Sequence, residues 1–196
     1  MSVVTIKKKA IIKYGTAFSM VVPSSISGIS GRVSKNDGGD PIRMDSVFNV
    51  EFAYDTKVVK GAVLQDDAAS SFLVVAFSAH RLKGEITHYS GQLYKCNAVA
   101  VIERKTLSAG AMGGVGTSSY LQLESDIPCF FVPAGYDSGV PEMGMLSEGK
   151  FKVYLNNSYD LKVGDCLNVD NVRYAVSYID IVTFPGCFVC SVEEVR

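Results

Sequence analysis

Apolar and polar residues alternate over short stretches of this chain. In Lys150-Phe151-Lys152-Val153-Tyr154-Leu155 the apolar Phe151, Val153 and Leu155 fall on one face of an extended backbone, with Lys150 and Lys152 on the other. Comparable runs occupy residues 18–22, 47–52, 72–77, 98–102, 172–179 and 187–192. They are rich in Val, Phe and Tyr and are separated by Gly, Asp, Asn, Ser or Pro, the residues that make turns. No window carries apolar positions at helical spacing behind a capping residue. This pattern predicts an all-β chain of small barrels or sandwiches, SH3-like or related, with little helix.

Two stretches break the alternation. Residues 24–45 (SSISGISGRVSKNDGGDPIRMD) hold four Gly and one Pro and read as a long functional loop. Within it, Arg32, Lys35, Asp37, Asp40 and Arg43 form a charged but nearly neutral set suited to ordering against a partner. Residues 107–119 (LSAGAMGGVGTSS) carry no charge and four Gly, the composition of a flexible linker. Placed near the middle of the chain, this stretch divides it into a first barrel at 1–106 and a second at 120–196. The two halves share a spacing. Gly84-Glu85 and Gly164-Asp165 are each followed six positions later by a turn dipeptide (Ser90-Gly91, Asp170-Asn171) and ten positions later by Tyr94 or Tyr174. The strands at Phe72 and Phe151 match upstream, so the spacing predicts duplication of one small barrel.

The 196 residues suffice for two such domains, and 47% hydrophobic residues suffice for their cores. Nineteen basic against twenty acidic side chains remove any global electrostatic reason to bind nucleic acid or an anionic membrane. The apolar run after Lys7-Lys8-Lys9 is only Ala10-Ile11-Ile12, too short for a signal peptide, and no stretch approaches the roughly 20 apolar residues that span a bilayer. Five scattered Cys fit a cytosolic setting rather than a disulfide scaffold.

Candidate chemistry is sparse. The Gly-rich 110–116 segment lacks the Lys and the following helix of a phosphate loop. Cys187 and Cys190 form a CxxC on a strand, where an offset of three puts the sulfurs on opposite faces; Cys190 is expected in the core. His80 and His88 have no metal-ligand spacing, and Ser78, Glu85 and Asp66-Asp67 are near them only in sequence. Gly135-Tyr136-Asp137-Ser138-Gly139 sets its Ser one place too late for a nucleophile elbow. The acid pairs Asp66-Asp67 and Glu193-Glu194 point to opposite faces of a strand. The expectation is therefore an interaction protein without catalytic residues, metal or cofactor.

The chain resembles the head-completion (head-closure, or stopper) proteins of tailed-bacteriophage necks. The likeness lies in the Lys13–Phe18 opening, the Gly/Asp-rich loop, Val59-Lys60-Gly61-Ala62-Val63-Leu64, the strand at 72–77, the Gly84-to-Tyr94 hairpin and the strand 98–104. It continues in the second half through Phe151–Leu155, Asp160–Asp165, Val169–Tyr174 and the closing Glu193–Arg196. Many members have one such domain where this chain has two, and Ser-Gly and Asp-Asn replace the usual Asp-Gly of the hairpin. The resemblance implies a virion protein assembled in the bacterial cytoplasm as a homo-oligomeric ring. Such a ring has a portal or adaptor protein on its head side and a tail terminator or tail-tube protein on its tail side. Double-stranded DNA passes through and is retained without sequence-specific binding. A tail-completion, tail-tube or baseplate adaptor is the alternative within that class. A tandem barrel binding peptide or single-stranded nucleic acid is the alternative outside it, with Tyr89, Tyr94 and Lys95 as its nearest aromatic and basic groups.

Overall fold

The computed structural model describes residues 3–35, 45–107, 118–134 and 150–195. A helix, α1 (Val3–Tyr14), precedes strands β1 (Thr16–Val22), β2 (Ile26–Lys35), β3 (Val47–Ala53), β4 (Val63–Asp66), β5 (Ser71–Leu82) and β6 (Glu85–Lys95). These strands close into an antiparallel barrel in the order β1-β2-β3-β6-β5-β4. Strands β7 (Ala98–Leu107), β8 (Ser118–Pro133), β9 (Lys150–Asn156), β10 (Cys166–Val169), β11 (Val172–Asp180) and β12 (Cys187–Glu194) close into a second. Alternation supplies each interior. Phe18, Val50, Phe52, Leu64, Val74 and Leu93 meet inside the first barrel, and Ile102, Ile127, Val153, Leu155, Leu167 and Val192 inside the second.

The barrels are two copies of one design. Replacing β1 to β6 by β7 to β12 in order converts the first strand order into the second. Registers agree as well. Val63 pairs Leu73 as Cys166 pairs Ala175, and the β5–β6 ladder slips between Val74 and Ala76 where the β11–β12 ladder slips between Val176 and Tyr178. The same holds for the irregularities after Phe18 in β1 and after Ala100 in β7. Phe48 and Phe72 stack edge-on at 5.9 Å, and their counterparts Phe151 and Tyr174 do so at 5.4 Å.

One turn is repeated bond for bond. Gly61 N–H donates to Val74 O at 2.8 Å, Val74 N–H to Ala62 O at 2.9 Å and Ala62 N–H to Val59 O at 3.2 Å. In the second barrel Gly164 N–H donates to Val176 O at 2.9 Å, Val176 N–H to Asp165 O at 2.9 Å and Asp165 N–H to Lys162 O at 3.1 Å. Gly61 and Gly164 both adopt positive φ, at 78° and 93°, which a side chain would strain. This overturns the register of the repeat expected from sequence. Gly164 corresponds to Gly61 and not to Gly84, and the Phe151 strand corresponds to β3 and not to the Phe72 strand. A glycine turn feeding a strand has the same local grammar at either place in the barrel, so spacing alone aligned the wrong pair.

The domain limits differ from expectation too. The chain divides into Met1–Cys96 with Val182–Cys187, and Asn97–Ile181 with Phe188–Arg196. Strand β7 therefore belongs to the second barrel, not the first. Leu107 pairs with Ser118 across the β7–β8 ladder, so the Gly-rich stretch 107–119 joins two partner strands of one barrel and is not a link between domains. Its residues 108–117 lie outside the described set. The expected loop 24–45 is half strand: Ile26 to Gly31 pair with β1 and Gly31 to Lys35 with β3, because its sparse Ile26, Ile29 and Val33 are still enough to line a barrel. Helix α1 replaces the strand expected to open at Lys13. Only Ile11 of α1 is buried, so the helix shows little periodicity; that side chain anchors it on the barrel, with the partly exposed Lys7–Glu51 and Lys8–Asp55 ion pairs beside it.

Leu64 and Leu167 are equivalent, fully buried positions in separate cores. Leu64→Ala and Leu167→Ala are each expected to cost about 3 kcal/mol. The two losses should fall in different barrels, measured by hydrogen exchange: the first variant loosens amides of β1–β6, the second those of β7–β12.

Candidate functional site

Four neighbouring strands of the first barrel present an open polar concavity of about 500 Å³ on their outer face. Its geometry follows from register. Arg32 (β2) pairs Glu51 (β3), Glu51 pairs Ser90 (β6) and Ser90 pairs Ser78 (β5), which makes one row across the sheet. Ser34, Asn49, Gln92 and Ala76 make the next. The intervening row, Val33, Val50, Gly91 and Phe77, has the opposite parity and faces the core. The site thus combines one guanidinium, one carboxylate and several amide and hydroxyl groups.

A histidine pair borders it. His80 and His88 are cross-strand partners whose rings stack at 4.4 Å and 9°. His80 Nε2 and Ser90 Oγ lie 2.6 Å apart. The Lys7 ammonium donates to His88 Nε2 at 2.9 Å and to Glu51 at 3.3 Å. With Nε2 accepting, the proton sits on His88 Nδ1 and is donated to Thr87 Oγ1 at 2.9 Å, and Thr87 in turn donates to His80 O at 3.2 Å. Burial and the adjoining Lys7 cation hold His88 below its ordinary pKa of 6.5, against the opposing pull of Glu51. The ring is a neutral hydrogen-bonding hub.

The second barrel carries a different outer face on the same scaffold. Phe130 and Tyr154 stand where Arg32 and Glu51 stand, and they are 1% and 0% exposed with ring centroids 5.8 Å apart. Its polar network lies elsewhere and is structural. Asp165, with a side chain 4% exposed, accepts Arg104 Nε and Nη2 at 2.8 Å each and Lys162 N–H at 2.9 Å. Asp160, exposed, adds a contact to Arg104 at 3.2 Å. Glu103 accepts Arg173 at 2.6 Å and Asn168 at 3.2 Å, which lowers its pKa, and Arg173 lies 4.4 Å over the Tyr120 ring. Among the described residues no group of three or more His, Cys, Asp or Glu side chains is disposed to hold a metal.

The structure separates the residues singled out from sequence. Arg32 lines the concavity. Lys35 closes β2 and meets exposed Asp45 at 3.4 Å. Asp37, Asp40 and Arg43 lie outside the described residues, as does the Gly135–Gly139 motif. Cys190 sits in the second core and Cys187 packs in the first unit with Sγ 3.8 Å from Val74 O, so the CxxC sulfurs do diverge. Burial pushes both thiols up to about 12. Asp66 caps a turn, accepting Ala68 and Ser70 amides at 3.0 and 2.8 Å, and Glu193 pairs with Lys150 at 3.3 Å. Asn49, Glu51, Ser90 and Gln92 were missed. Their signal was present: Asn49 and Glu51 alternate with Val50 and Phe52, a polar outer face inside a strongly apolar run.

His88 makes first-barrel stability pH-dependent. Below its ordinary 6.5 the unfolded chain takes up a proton that the folded state resists, so stability falls as pH drops from 7.5 to 5. His88→Gln should flatten that slope in urea titrations; an unchanged slope would count against the hub. In the second barrel, Asp165→Ala should lower the melting temperature more than Asp160→Ala, since only the first removes a buried carboxylate that accepts two guanidinium nitrogens and the Lys162 amide.

No protein-family model and no curated protein matches the chain. Among solved structures, xkdH, a protein of the phage-like element PBSX from Bacillus subtilis, is similar at 18% identity with a TM-score of 0.34, over 50% of this chain and 92% of its own.

Proposed function

We propose that this chain is a structural subunit of a tailed-phage or phage-like particle, a ring component of the head-to-tail connector seated between portal or adaptor and tail. The observation that carries the reading is the duplicated barrel with divergent outer faces. The first face is open and polar across four strands, whereas in the second Phe130 and Tyr154 take the places of Arg32 and Glu51 and are buried. Two closed barrels hide their strand edges, so docking falls to outer faces and turns. An open concavity with one cation and one carboxylate suits reversible seating of a neighbouring protein segment, because its donors and acceptors are already arranged. In this reading the chain acts by docking rather than catalysis, and DNA passes without being gripped.

Two measurements test it. Particles purified from a producing strain should contain the chain in stoichiometric amount, and the isolated chain should form rings in negative stain. A protein absent from particles, or one that shifts a single-stranded oligonucleotide, would overturn the reading. Arg32→Glu sets a second carboxylate beside Glu51 and should reduce incorporation into particles several-fold. As a surface change it should alter stability by only about 0.5 kcal/mol.

A further inference from the structure

A near-neutral whole conceals two charged units. The first holds twelve basic against eight acidic side chains and the second seven basic against twelve acidic, net charges of +4 and −5. Surfaces of opposite sign attract before they touch and decide which faces meet. In the first unit this excess reaches the polar concavity as a single free guanidinium. Arg32 stands opposite Glu51 in the ladder, yet the Glu51 carboxylate is taken by Lys7 at 3.3 Å, and among the described residues nothing pairs with Arg32. Asn49 and Gln92, ladder partners in the next row, are likewise unbonded through their side chains among the described residues. Arg32 therefore offers a fork of N–H donors to a carboxylate, and the two carboxamides, which both donate and accept, suit the peptide groups around it. A phosphate backbone fits less well, because it brings acceptors alone and the Glu51 carboxylate lies in the same row.

Much of the acidic surplus of the second unit is already engaged. Glu193 pairs with Lys150, Asp160 with Arg104 and Lys162, Asp165 with Arg104 and Glu103 with Arg173. Asp170 and Glu194 differ. Both are exposed, and among the described residues neither meets a cation. Asp170 stands at the tip of the two-residue β10–β11 turn, and Glu194 is the ladder partner of Tyr174. They converge on one phenol: burial raises the Tyr174 pKa, and the Glu194 and Asp170 carboxylates raise it further. The second barrel thus carries two free carboxylates at one edge, beside a projecting turn.

We propose that the Arg32 concavity of one copy receives the Asp170–Glu194 edge of another copy. The inference rests on the docking role given above to that concavity and names its occupant as a second copy of this chain. The contact joins two different surfaces, so it is heterologous and propagates head to tail, closing as a ring or running as a filament.

Sedimentation of the full chain tests the contact, beside two variants at exposed positions: Arg32→Glu, and Asp170→Asn combined with Glu194→Gln. Asn keeps the left-handed backbone that Asp170 adopts at φ 51°. The parent should self-associate at rising concentration and less tightly in about 0.5 M salt. Each variant should raise the dissociation constant about tenfold or more. An equimolar mixture of the two variants should give heterodimers and nothing larger, because it retains one intact concavity and one intact acidic edge. A monomeric parent, variants that associate like the parent, or a mixture that stays monomeric would overturn the proposal. So would a monomeric parent that shifts duplex DNA through Arg32, which would make phosphate the occupant. Should Arg32→Glu lose its circular-dichroism spectrum, Arg32→Gln replaces it with the same expected outcomes. A chain monomeric in solution yet stoichiometric in particles would sink this contact and leave the connector reading; self-association by a chain absent from particles would do the reverse.

Discussion

Closure of each barrel hangs on its shortest strand. β4 and β10 have four residues apiece, yet each is laddered on both sides, β4 to β1 and β5, β10 to β7 and β11. Without them two long strands in each sheet would expose their backbone edges, an invitation to aberrant pairing. Four residues cannot hold such a position through length. The turn before them does it, crossing to Val74 in one barrel and Val176 in the other through reciprocal backbone bonds, and the left-handed glycine is what lets the chain enter at that angle.

With closure secured by backbone, side chains outside the barrel were free to diverge. At matched register positions the first copy displays Arg32 and Glu51 and the second hides Phe130 and Tyr154. Position 62 and position 165 diverge likewise. Ala62 is a buried methyl, whereas Asp165 is a buried carboxylate holding Arg104 and the Lys162 amide. A buried carboxylate is tolerable there because every oxygen is met by a donor. One scaffold thus supports two surfaces, and the functional reading follows the surface, not the scaffold.

Much of the site was written in strand alternation. Asn49 and Glu51 between apolar neighbours marked a solvated face, and Arg32 was already singled out by charge. What spacing could not give was the row itself, because Arg32, Glu51, Ser90 and Ser78 are adjacent only across four strands whose order skips from β3 to β6. The histidines illustrate the same limit. Eight residues apart they look unrelated, yet a two-residue turn folds them into stacked partners, and Lys7 reaches His88 from a helix whose own residues barely announce it.

The amino-acid sequence alone determined the all-β class, the twofold plan and the inward set of apolar residues, since side-chain alternation and turn-forming residues act within a few positions of each other. Tertiary structure decided the rest. It set which glycine turn matches which, where one barrel ends and the other begins, and that the glycine-rich middle segment connects paired strands. Those choices depend on backbone pairing between residues distant along the chain, where a hydrogen bond carries no trace of the side chains that flank it.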